Sequence, residues 1–250
     1  GSSVADVAQR ASGPTLALND CALLVGQAPE VKAAFRALAH PLSLSRNETL
    51  FSEGDAGGSI YVVLSGKLKV TRPADDGKET IFTIVGPDDL LGELAVFDDG
   101  HRQATAVALR PCELVVASNI DVRAWFDTYP ATLRRFSELL VARVRRLNDS
   151  LEDVYGLDVA TRLARVLVRQ SAQFGRRTGL GVQVDLDLSQ EELALHVRAS
   201  RERVNQVIND FARRGWLRRE ASGIVVVDWE ALEHRARFRD EVAQRRVTRP

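Results

Sequence analysis

The sequence predicts an α+β chain of two domains joined by a long helix, and three patterns carry that reading. Strand-like stretches at 59–64, 67–71, 80–85, 104–108 and 113–117 are punctuated by Gly54, Gly57, Gly58, Gly66, Gly77, Gly86, Gly92 and Gly100. Many short strands between glycine-rich turns make an antiparallel sandwich or barrel. Leu133, Phe136, Leu140, Val144, Leu147, Leu151 and Val154 then follow at steps of 3, 4, 4, 3, 4 and 3, the a/d spacing of a helix with one apolar seam. Beyond residue 157, helical patterns precede a small strand pair, the order of a winged helix-turn-helix. A length of 250 residues accommodates two domains, and 45% hydrophobic with 27% charged residues is ordinary globular composition.

Along the chain, residues 1–18 are expected to be a flexible N-terminus. Gly1-Ser2-Ser3 reads as a cloning remnant with no secretory-signal pattern after it, which predicts a cytoplasmic protein. The first domain spans 19–129 and opens with a helix: Pro29 suits a first helical position, and Val31, Ala34, Phe35 and Leu38 follow at helical spacing. Asp75-Asp76-Gly77-Lys78 marks a hairpin. Residues 130–156 form the seam helix, whose stripe is buried in a parallel dimer or against its own sheet. Gly156 interrupts that pattern, and Asp158 offers an N-cap for the next helix. The second domain, 157–233, contains that helix over 158–173, a turn at 175–179, a strand at 182–184, two short helices and a strand pair around 221–223. Residues 234–250 are Arg-rich and read as a helical extension with a frayed end.

Several function classes are excluded at this level. Apolar runs such as 139–142 and 224–227 are far shorter than the roughly 20 residues that cross a bilayer, so no membrane partner is expected. Cys21 and Cys112 lie far apart with no CxxC, which supports neither a disulfide framework nor a metal or iron–sulfur site. His40, His101, His196 and His234 are scattered without ligand spacing. The net charge of zero hides a division: from residue 158 onward stand 18 Arg, no Lys and 13 acidic residues, which leaves 16 basic and 21 acidic residues in 1–157. A basic C-terminal part points to a nucleic-acid partner for that end.

The segment 188–211 has a two-helix signature. Ser189 caps a first helix with Glu192 at the capping-box position, and Leu193, Ala194 and Val197 face inward. Ser200 caps a second helix whose buried stripe is Val204, Val207, Ile208 and Phe211. Opposite that stripe stand Arg201, Glu202, Arg203, Asn205 and Gln206. Their side chains suit base edges: Arg matches guanine O6 and N7, Glu the cytosine amino group, and Gln adenine. Ser189, Gln190 and Ser200 at the helix starts complete the candidate DNA-contacting set.

These residues carry a resemblance. The stretches 188–194, 200–205 and 214–217 resemble the recognition motif of the CRP/FNR family of bacterial transcription regulators; 60–70 resembles its sensor-sheet signature and 92–106 its phosphate-binding cassette. The resemblance covers about residues 20–233. It implies a double-stranded β-helix (jelly roll) that binds an effector, a long dimerising helix and a winged helix-turn-helix. It also implies a homodimer on a palindromic double-stranded DNA operator, RNA polymerase as a further partner, and no enzyme activity. Three departures stand out. Arg198 occupies a turn position where the family usually has Gly. Arg203 and Gln206 stand where relatives often carry Thr and a basic residue. Gln103 replaces a Ser or Thr beside the cassette arginine.

In cyclic-AMP-responsive relatives the residues matching Glu93 and Arg102 hold the ribose and the phosphate. The chemistry suits those roles. A short helix near Gly92 offers free N–H groups, and Arg102 is a bidentate cation for an anionic oxygen. Gly92, Glu93, Leu94, Arg102, Gln103, Leu147 and Asn148 are therefore the candidate effector residues, with cyclic AMP as the effector. Leu147 replaces a Thr that faces adenine in relatives, so regulation without ligand, or by another effector such as cyclic di-GMP, is the alternative. A cupin-type metalloenzyme lacks its ligands here, a module controlling a protein partner leaves the 200–211 helix unexplained, and haem sensing has only His101 to offer.

Overall fold

The computed structural model describes residues 21–73, 79–98, 100–220 and 223–237, and of residues 146–156 the backbone alone. The expectations for 1–18, for the hairpin at 75–78 and for 238–250 lie outside the described residues, as do the side chains of Leu147, Asn148, Leu151 and Val154. Two compact units are present, Gly1–Arg145 and Arg146–Pro250.

The first unit opens with α1 (Pro29–Leu38), where Pro29 costs no hydrogen bond because the first-turn N–H groups have no intrahelical acceptor. Eight described strands follow: β1 (His40–Leu44), β2 (Thr49–Phe51), β3 (Ser59–Ser65), β4 (Leu68–Pro73), β5 (Glu79–Val85), β6 (Leu90–Leu91), β7 (Thr105–Ala108) and β8 (Cys112–Ser118). They pair antiparallel in two sheets of order β1-β8-β3-β6 and β2-β7-β4-β5. Leu42, Tyr61, Val63 and Leu114 of the first sheet meet Leu68, Val70, Val85 and Ala108 of the second in one apolar cluster, the interior of the jelly roll.

Helices α2 (Ala95–Asp98), α3 (Asn119–Thr128) and, as far as Arg145, α4 (Pro130–Gly156) complete the unit. Successive side chains on β3 point to opposite faces. Tyr61 and Val63 enter the roll, while Ile60 and Val62 meet Phe35, Trp125, Phe126 and Phe136 in a second cluster. A strand covered on both faces reads as a continuous apolar run, which is how 59–64 stands out in the sequence. Trp125 donates its indole N–H to the Val31 carbonyl at 3.3 Å, which fastens α1 to α3.

The described part of the seam divides between the two expected settings. Phe136 is 1% exposed and faces its own core, with Leu140 packed beside it, whereas Leu133, Val141 and Val144 are 39%, 51% and 55% exposed. The helix carries two apolar edges side by side, and the sheet-covering helices take the Phe136 edge. The exposed stripe thus keeps Leu133 and Val144 of the predicted seam and adds Val141.

The second unit holds α5 (Val159–Phe174), β9 (Arg176–Thr178), β10 (Gly181–Val184), α6 (Gln190–Val197), α7 (Arg201–Arg213), β11 (Leu217–Glu220) and β12 (Gly223–Val226), followed by a helix over 229–237. Its sheet has the order β11-β12-β10-β9. Residues 176–178, expected in a turn, pair with β10 as a hairpin strand, with Thr178 opposite Gly181. Leu163 and Leu167 of α5, Val197 of α6, Val204, Ile208 and Phe211 of α7 and Leu217, Ile224 and Val226 of the wing share one core.

Candidate functional site

In the first unit the loop joining β2 to β3 lies against the loop that enters β7. Gly54 N donates to Arg102 O at 2.9 Å, Arg102 N to Asp55 O at 2.8 Å and Gly57 N to Gly100 O at 3.1 Å. A Cβ on Gly57 would collide with the Ala95 Cβ and the Gly100 carbonyl, so the two loops close only over glycine. Buried Asn119, at the start of α3, donates through Nδ2 to Gly57 O at 2.5 Å and Ala95 O at 2.7 Å. Arg123 Nη1 donates to Val96 O at 2.8 Å. One helix thus fastens α2 to the neighbouring loop.

Arg102 is 5% exposed. Its Nη2 donates to Ser59 O at 2.8 Å and its Nη1 to Gly92 O at 3.3 Å, while the guanidinium carbon lies 4.6 Å from the Phe51 ring centroid and 5.4 Å from that of Tyr61. Nε is buried with no acceptor. Gly92 has φ +78°, and a Cβ there would meet Arg102 Nη1 and Ser59 O. Burial pushes the Tyr61 phenol above its ordinary pKa against the opposing pull of the Arg102 charge. The result is a desolvated cation in an aromatic cradle whose Nε–H has no acceptor.

Glu93 is 4% exposed, and its Oε1 lies 2.8 Å from Arg143 Nη1 on α4. The two groups meet as a charge pair and not as an aligned hydrogen bond, because Oε1 receives no donor at hydrogen-bonding geometry. In the sequence Arg143 is one of several arginines, with Arg134, Arg135, Arg145 and Arg146, that flank the seam. No local signal links it to Glu93, fifty positions earlier. The expected helix N-terminus at Gly92 is not formed: α2 begins at Ala95 and has four residues, so Gly92 is a left-handed turn residue leading into it. Gln103 is exposed and donates to the His101 carbonyl at 3.2 Å, and Leu94 is 53% exposed. The structure therefore gathers Gly92 and Arg102 at one point and Glu93 with Arg143 beside it in the chain. Among the described residues no cluster of His, Cys, Asp and Glu could hold a metal ion, and no helix is long and apolar enough to cross a membrane.

In the second unit Ser189 and Glu192 form the capping box, with Glu192 N donating to Ser189 Oγ at 3.1 Å and Ser189 N to Glu192 Oε2 at 2.8 Å. Ser200 Oγ accepts from Arg203 N at 3.2 Å and starts α7. Arg201, Glu202, Arg203 and Gln206 are exposed and Asn205 is half-buried. Gln190 Oε1 accepts from Arg201 Nε at 3.0 Å and from Asn205 Nδ2 at 3.1 Å. Asn205 Oδ1 in turn accepts from Arg219 Nη2 at 3.2 Å, and Arg203 Nη1 donates to Gln206 Oε1 at 3.2 Å. A polar chain thus runs from α6 across α7 to the wing strand β11. Asn205 uses both ends of its amide as a bridge. Arg219 was absent from the sequence reading, since a residue on a polar wing strand looks like any solvated one.

Residues 41–129 match the cyclic nucleotide-binding domain model, and residues 161–235 match the Crp-like helix-turn-helix domain model. A protein of Mycobacterium tuberculosis described as a CRP-like cAMP-activated global transcriptional regulator is 38% identical over 212 residues, covering 85% of this chain and 95% of that one. The chain belongs to the CRP/FNR family of transcription regulators. This family member is also 29% identical to the cyclic AMP receptor protein of Thermus thermophilus, over 75% of this chain and 84% of that one. The same fold is seen in a c-di-GMP responsive global regulator of Xanthomonas campestris, with a TM-score of 0.67 at 24% identity over 80% of this chain and 99% of that one. The jelly roll and the winged unit of this regulator are thus a cyclic nucleotide-binding domain and a DNA-binding domain.

Proposed function

We propose that this regulator is a homodimer that reads a two-fold symmetric operator under the control of cyclic AMP. The carrying observation is Arg102. A buried guanidinium with an unpartnered Nε, held beside a glycine whose missing side chain leaves room for the Arg, fits an anionic oxygen better than any other partner. Glu93 accepts a ribose hydroxyl in this reading, and Arg143 holds its carboxylate in place. Gly92 approaches the phosphate through its backbone, and Leu147 and Asn148 lie further along the same helix as Arg143. The names of the Mycobacterium and Thermus relatives support cyclic AMP as the nucleotide.

Dimerisation follows from Leu133, Val141 and Val144, apolar side chains left exposed on α4. Two copies paired there present two α7 helices to half-sites about 34 Å apart, one turn of B-DNA. Arg201 and Glu202 read base edges, Arg203 and Gln206 act as a pair beside them, and Ser189, Gln190 and Ser200 contact the backbone.

Calorimetric titration with cyclic AMP, cyclic GMP and cyclic di-GMP, with operator affinity measured alongside, tests the reading. Cyclic AMP should bind and raise operator affinity. A protein that binds its operator equally well with none of the three would be an effector-independent regulator whose Glu93–Arg143 pair keeps the site closed.

A further inference from the structure

Arg162 lies on the first turn of α5, half-buried, and its guanidinium spans three backbone carbonyls. Nη1 donates to Leu157 O at 2.6 Å, Nε to Val197 O at 2.9 Å and Nη2 to Arg198 O at 3.2 Å. Leu157 is the residue between the end of α4 and the Asp158 cap of α5. Val197 is the last residue of α6, where carbonyls lack intrahelical donors and carry the negative end of the helix dipole. Arg198 adopts φ 53° and ψ 56°, the left-handed conformation that residues with a side chain rarely take. Three residues later α7 begins.

We propose that Arg162 is the positioning residue for the reading helix, locking the turn before α7 and tying it to the joint at Leu157. The proposal rests on α7 as the DNA-reading element and adds a residue that does not itself touch DNA. A guanidinium suits the task because its donors point in fixed, divergent directions, whereas an ammonium is a single point charge. With Gly at 198 the turn would need no such brace; with Arg198 the left-handed bend is held from outside.

The test uses the full chain with Arg162→Ala, Arg162→Lys and Arg162→Ala combined with Arg198→Gly. Affinities for a duplex enriched by the wild-type protein from a random pool, and for an unselected duplex, are compared, and amide exchange is followed at Arg198 and Ala199 without DNA. Arg162→Ala should lose about 10- to 100-fold on the enriched duplex and under about threefold on the unselected one, as expected when paired carbonyls lose their donor. Amide exchange at the turn should accelerate. Lys should recover less than half of the loss on a logarithmic scale, and adding Arg198→Gly should recover more than Lys does. Equal losses on both duplexes, wild-type behaviour of the Lys variant, or unchanged exchange at Arg198 and Ala199 would each overturn the proposal. Failure of the wild-type protein to enrich any duplex would overturn the DNA reading of α7 instead, and the exchange arm would still judge the brace.

Discussion

Arg102 and Arg201 show how one residue type serves two kinds of recognition. Arg102 is 5% exposed, carries two main-chain carbonyls and two aromatic rings around it, and leaves its Nε–H without an acceptor. Arg201 is exposed and donates to the amide oxygen of Gln190. The first arginine is already desolvated, so an anion meeting it gains in a low-dielectric setting with little reorganisation. The second keeps its hydration and side-chain freedom until DNA arrives, and exchanges one weak neighbour for a base edge. Burial sets a fixed site for one small ligand; exposure suits a long polymer whose sequence must be sampled.

The largest effect that separates the two should come from Arg102→Ala. Loss of a buried charge-assisted contact, at about 1.5 to 3 kcal/mol, should lower cyclic AMP affinity about 10- to 100-fold by calorimetry. Retained binding would place the effector elsewhere. Next comes the partner stripe: Val141→Asp with Val144→Asp removes about 1.5 to 3 kcal/mol of apolar burial for each side chain and should give monomers by light scattering. A variant that stays dimeric would show that this stripe does not hold the two copies together. Arg201→Ala should cost about 1 to 3 kcal/mol on the operator and little on unselected DNA, and equal losses would make it a phosphate contact. The smallest effect belongs to the bridge to the wing. Asn205→Ala and Arg219→Ala should each cost about 0.5 to 1.5 kcal/mol in operator binding, and less than their sum when combined, because they break one chain. Strict additivity would show that the two act separately.

The sequence showed β3, β4, β5, β7 and β8 because each is long enough for its apolar pattern to register. Strands β1, β2 and β6 escaped: His40-Pro41 opens the first, and the other two have three and two residues, existing through their pairing and not through any local preference. Helix α3 carries a local signal in the sequence. Ser118 with Asp121 makes its cap, and Val122, Trp125 and Phe126 recur at helical spacing. At the sites, Glu93, Arg102 and the α7 face stood out because motif and spacing are local. Arg143, Arg162 and Arg219 did not, since each acts on a group 14 to 50 positions away and other arginines around them look alike.

Strand β3 belongs to two apolar clusters at once, one inside the roll and one beneath α1, α3 and α4. The two clusters are coupled, because losing β3 exposes Ile60 and Val62 together with Tyr61 and Val63. The helices therefore share the cooperativity of the roll, and heating should bring the cyclic nucleotide-binding unit through a single calorimetric transition, with no partly melted form in which the roll survives its helices.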